Sequence, residues 1–167
     1  MPEPSQTTYP LFALLIALLV CFAAQAAGAG LTFPNLGWYA TLTKPGFTPP
    51  NSIFPIVWTI LYAVFFLAVA AWIFWRAAGK EEDRRLGLIW FGIQLVLGVL
   101  WSAAFFGLHS PSLGLGIIMV LLIAIAITIV PFDRLSRLAA ILLVPLLLWV
   151  CFATGLNFAI WFLNRGS

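Results

Sequence analysis

The feature that most constrains this chain is a set of five apolar runs, each long enough to cross a bilayer. They cover about 11–31, 53–77, 86–108, 113–131 and 138–163. A spanning helix needs about 20 mainly apolar residues, and it satisfies its own backbone polar groups where lipid cannot. Spanning strands would show alternation over ~10-residue stretches, and these runs do not alternate. The fold class read from the sequence is an all-α membrane protein. A single domain over 1–167 is expected to form a five transmembrane helix bundle with a long ordered loop between helices 1 and 2. Composition agrees, because 8% charged residues cannot cover a surface for water, where about 25% is usual.

The connections are unequal. AAGKEEDRR, HSPS and FDRLSR are short, so successive helices are expected to be antiparallel neighbours. AAGKEEDRR reads as a solvated charged turn. The opening connection is long and reads WYATLTKPGFTPPNSIFPIVW, from Trp38 to Trp58. Pro45, Pro49 and Pro50 fix φ and remove backbone donors, so this stretch is stiff and cannot become helix. Pro55 suits the first turn of the next helix. A disordered segment would not carry Trp38, Tyr39, Phe47, Phe54 and Trp58. An ordered aromatic loop is expected.

Basic residues set orientation in membrane proteins. Arg76, Lys80, Arg84, Arg85, Arg134 and Arg137 fall on the side that holds the N-terminus, and Lys44 and Arg165 on the other. This bias expects an inner (cytoplasmic) membrane with the N-terminus inside and the long loop outside. The start, MPEPSQTTYP, lacks the positive region of a signal peptide, so the first run is read as a retained span. A net charge of +3 implies no nucleic-acid partner. Cys21 and Cys151 lie in apolar runs and read as buried small hydrophobes.

Conventional catalysis has few candidate groups. No Asp, Glu, Lys, Arg or His lies well inside a span, which weighs against an ion-coupled pump. The single histidine, His109, reads as an interfacial polar residue. No metal-ligand spacing, Ser-His-Asp set or phosphate loop is present. The spans instead offer aromatic faces. Trp58 and Tyr62 are four apart, with Phe65 seven from Trp58. Gln94 and Trp101 are seven apart, with Phe105 four further on. Pro145, Trp149, Ala153 and Asn157 step by four. Each set lies on one helix face. Trp38, Trp90 and Trp161, with Trp72 and Trp75, read as interfacial aromatics. Trp58, Trp101 and Trp149 fit that role less well, since each shares its face with small or polar residues. They suit an aromatic cavity for a flat apolar ligand or tight helix packing. The small-xxx-small pairs Ala23/Ala27, Gly98/Ser102 and Ala103/Gly107 allow close helix approach. A homodimer is expected, with the third span at its interface.

WYATLTKPGFTPP followed by FPIVWTILY resembles the TspO/MBR family (tryptophan-rich sensory protein, translocator protein), whose pattern is approximately WY…L.KP.W.PP and then a Pro-Trp…LY helix start. LWSAAFFG and VPLLLWVCFATGLNF resemble its third and fifth helices. The resemblance implies a pocket between the helices, capped by the first loop. It implies porphyrin-type ligands, protoporphyrin IX and haem among them, with no required cofactor or metal. The implied role is that of a receptor or carrier, with sensing or transport as its purpose, or alternatively a light- and oxygen-dependent porphyrin-degrading enzyme. Carried over residue by residue, the pocket would comprise Tyr39, Pro49, Trp58, Tyr62, Trp101, Trp149 and Ala153. Trp58 and Trp149 would be the catalytic pair if degradation applies. Some bacterial relatives are assigned to the outer membrane, which is the alternative location. The chain departs from the family at Gly98, where relatives often carry Asn, at Pro145-Leu146 for Pro-Tyr, and at Phe47 for Trp. The end of the last span, LNFAIWFLNR, has no Tyr, so sterol binding is not expected.

Overall fold

A computed structural model describes residues 10–58, 60 and 66–165, and among these every regular element is helical. Helix α1 spans Pro10–Thr32, a 3₁₀ turn Phe33–Asn35, and α2 Leu36–Thr41. The three form one apolar rod past the expected end near Leu31. Pro34 sits in the first turn of the 3₁₀ segment, where its missing N–H breaks no bond, so the rod continues. Trp38 and Tyr39 therefore stand on helix α2, and the true connection is only 42–52. The second span comprises α3 (Ile53–Trp58) and α4 (Phe66–Arg76). Tyr62 and Phe65 lie outside the described residues.

Helix α5 spans Glu81–Ser102 and continues through a π-helical turn, Ala103–Gly107. Its first turn holds Glu81, Glu82 and Asp83, which suits the positive end of the helix dipole. Most of the charged connection is thus the start of a helix and not a free turn. Arg84 turns back and donates to the carbonyls of Phe74, Trp75 and Ala77, satisfying the last acceptors of α4. Helix α6 spans Pro111–Leu135 and α7 Arg137–Asn164. The expected FDRLSR connection shrinks to Ser136, because charged residues extend a helix beyond the bilayer as readily as they leave it. Ser110 and Ser136 cap α6 and α7, their hydroxyls accepting from the N–H groups of Leu113 and Ala139. Pro131 and Pro145 lie inside helices, which spanning segments tolerate.

Four helical segments are long and apolar enough to cross a membrane: Leu11–Thr41, Glu81–Gly107, Pro111–Leu135 and Arg137–Asn164. With α3 and α4 they give the five-span layout of a multi-pass membrane protein. The spans close a ring. α1 packs on α4, α4 on α7, α7 on α6, α6 on α5, and α5 on α1. The pairs α5–α6 and α6–α7 are neighbours as expected, but α4 and α5 touch only slightly. Their contact relies on Gly87, where a Cβ would lie 2.3 Å from the Phe74 ring. Phe74 in turn stacks on Phe132 of α6 at 3.9 Å. Cys21 is buried, whereas Cys151 is exposed on α7; its position on the outer face leaves it outside the core. The topology gathers all six basic residues of the expected inner side at one end, where Arg134 pairs with Asp83 at 3.0 Å.

Candidate ligand-binding site

At the opposite end, α1, α2, α3, α5 and α7 surround a partly open cavity of about 110 Å3. Its walls are aromatic because α3 and α5 turn the indoles of Trp58 and Trp101 into it. Trp58 of α3 stacks on Trp101 of α5, with ring centroids 6.0 Å apart and planes at 29°. Trp149 of α7 meets Trp58 edge-on at 6.3 Å and 85°. Phe105, in the π-helical turn, stacks on Trp101 at 5.6 Å, and Tyr39 tilts against Phe105 and Phe106. Ala104, Phe105 and Phe106 of the π-helical turn are all buried, and such turns are frequent at functional sites.

Polar groups fix this geometry. The Trp101 indole Nε1–H donates to Asn157 Oδ1 at 3.0 Å, and Asn157 Nδ2 donates to the Pro111 carbonyl at 2.8 Å. One amide thus ties α5, α6 and α7 together behind the Trp101 ring. It fits because Gly114 has no Cβ, which would lie 3.1 Å from Asn157 Oδ1. On the α1 wall, Gly28 faces the Ser102 hydroxyl closely enough that a Cβ would sit 3.3 Å from it. The pair Gly98/Ser102 therefore serves the inside of the bundle. No charged side chain lines the cavity among the described residues; Gln25, Thr32 and Asn51 contribute its other polar groups.

The 42–52 connection is strapped across this end. Thr43 exchanges two hydrogen bonds with the Asn164 side chain, at 3.0 and 2.9 Å. Lys44 lies 4.8 Å over the Tyr39 ring and donates to the carbonyls of Ala40 and Leu42. Thr48 folds back on the Pro45 carbonyl through both its N–H and its hydroxyl. Phe47 packs on Phe152 of α7 at 6.3 Å. Asn51, beyond Pro49-Pro50, reaches the cavity wall.

Of the residues expected at the site, Tyr39, Trp58, Trp101 and Ala153 line the cavity. Trp149 stands behind Trp58 as its edge-on partner. Pro49 is half-buried in the connection and shapes it without lining the cavity. Tyr62 falls outside the described residues. The α1 wall, Ala24 to Thr32, and Asn51 carry no periodic aromatic signal, and their role is visible only once the ring closes. Trp38, read as an interfacial aromatic, is half-buried and stacks on His109 at 4.4 Å.

Residues 13–162 match the model of the TspO/MBR family. A tryptophan-rich protein TspO of Chlorobaculum tepidum is 42% identical over 152 residues, covering 90% of this chain and 95% of that protein. Protein CrtK of Rhodobacter capsulatus is 33% identical, covering 92% and 94%. The human translocator protein is 35% identical over 137 residues, covering 79% and 78%.

Proposed function

The chain belongs to the TspO/MBR family, and from that premise we propose that it is an integral membrane receptor or carrier for porphyrin-type tetrapyrroles, protoporphyrin IX or haem, with a sensory or transport role. The observation that carries this reading is the pairing of Trp58 and Trp101 on the wall of one uncharged cavity, with Trp149 packed edge-on behind Trp58. A flat macrocycle gains most from stacking on such faces in a site that excludes water. At about 110 Å3 the cavity is smaller than the roughly 300–1,000 Å3 of typical ligand sites. Binding a macrocycle therefore requires the 42–52 strap and α3 to move outward, and the strap is held mainly by hydrogen bonds at its rim. The charge bias argues for an inner membrane with the strap outside, and a homodimer through the outer face of α5 belongs to the same proposal.

The test is a titration of the detergent-solubilised protein with protoporphyrin IX, followed by tryptophan fluorescence. Saturable quenching is expected, weakened in Trp58→Phe and Trp149→Phe. Unchanged quenching in both variants would remove the site assignment. The direct contact of Trp58 with Trp149 supports a second reading, in which light and oxygen degrade the bound porphyrin and the two indoles donate electrons. That reading expects a new absorbing product on illumination that depends on both residues; bleaching at the rate of free porphyrin would refute it.

A further inference from the structure

The aromatic faces leave one buried polar group unused. Gln94 of α5 is 0% exposed, and among the described residues neither its Oε1 nor its Nε2 has a hydrogen-bond partner. Thr128 and Asn157, by contrast, are engaged: Thr128 donates to the Ala124 carbonyl, and Asn157 bridges Trp101 and Pro111. A buried amide with both ends unmade is costly, and an apolar residue of the same size would carry no such cost.

Its position relates it to the cavity. Gln94 shares a helix face with Gly98 and Trp101, both of which line the cavity. Gly98 stands one turn away, about 6 Å along the axis. One turn in the other direction is Phe91, which stacks on Phe132, itself stacked on Phe74. Gln94 itself is not among the lining residues; by helix register it stands one turn beyond Gly98, on the side of the Phe91–Phe132–Phe74 stack.

A primary amide offers an acceptor and a donor side by side. The planar group that satisfies both at once is a cis amide, with its C=O next to its N–H, as in a lactam. We propose that Gln94 is the deep polar anchor of this cavity and selects flat ligands that enter with a lactam-type edge. This rests on the cavity being a ligand site. The ligand edge passes Gly98, accepts from Gln94 Nε2 and donates to Gln94 Oε1.

The experiment titrates the full chain in detergent with 2-quinolinone and with N-methyl-2-quinolinone, which lacks the N–H, and follows tryptophan quenching. The wild-type protein is expected to bind 2-quinolinone about tenfold more tightly, the effect of one buried hydrogen bond. Gln94→Leu is expected to abolish that preference by weakening 2-quinolinone alone, and Gln94→Met, which keeps the side-chain length, to do the same. Retained protoporphyrin IX quenching shows that each variant keeps its pocket. A preference that persists in the variants is steric and overturns the proposal, as does an absent preference in the wild-type protein. Should protoporphyrin IX also fail to quench the wild-type protein, the ligand-site reading falls with it.

Discussion

Replacing Asn157 with Leu removes the side chain that holds Trp101 to α6 and α7. The bridge consists of two hydrogen bonds, 3.0 Å from the Trp101 indole and 2.8 Å to the Pro111 carbonyl. Asn157 is 2% exposed and Trp101 8%, so the indole N–H has no solvent to turn to. Leaving a buried donor unmade costs about 1–3 kcal/mol. Side-chain hydrogen bonds between membrane helices average a smaller ~0.6 kcal/mol, because the unfolded chain in lipid also finds partners. The Pro111 carbonyl is at the helix end beside exposed Ser112, where water replaces its lost donor. The indole decides the sum, about 1–2 kcal/mol. For a chain of this size that is roughly 2–8 °C in melting temperature, read by circular dichroism in detergent. Protoporphyrin IX affinity should fall with it, since the Trp101 ring is free to rotate away from Trp58. A variant that melts like the wild-type protein and binds as tightly would refute the idea that this bridge sets the cavity wall.

Two further outcomes follow from the packing. Gly87→Ala drives a methyl into the Phe74 ring, at 2.3 Å before relaxation. It should destabilise by about 1–3 kcal/mol as overpacking does, while Gly116→Ala, which meets nothing within 4 Å, should not; equal melting of the two variants would contradict the α4–α5 contact. Asn164→Ala deletes both bonds to Thr43 and should release the strap, raising protease cleavage within 42–52 several-fold with little change in melting; unchanged cleavage would show that the strap is held elsewhere.

The sequence made the spans legible because the requirement is local: about 20 apolar residues satisfy their own backbone. It made the three indoles legible because helical spacing puts Trp58, Trp101 and Trp149 beside small or polar residues. The ends of the helices were less legible. The expected end of the first span lies near residue 31, yet Pro34 in a 3₁₀ turn lets the rod carry Trp38 and Tyr39. Asp133 and Arg134 looked like a connection, yet they extend α6. The order of the ring was not legible, since α4 lies between α1 and α7 through contacts far apart in the chain. For the same reason Gly28 against Ser102, and Asn51 in the cavity wall, could be found only from the fold. Pro49 shows the converse. Its motif pointed to the site, but it stands in the strap and is not among the residues that line the cavity.

Filling the cavity is the most direct test of tetrapyrrole binding. Ala153 lines the cavity and is 5% exposed. Ala153→Phe projects a ring into the cavity that Trp58 and Trp101 line, and protoporphyrin IX titration of that variant should show at least a tenfold loss of affinity, about 1.4 kcal/mol, with helical content unchanged. Wild-type affinity in a folded Ala153→Phe protein would contradict the claim that the tetrapyrrole binds in the cavity lined by Trp58 and Trp101.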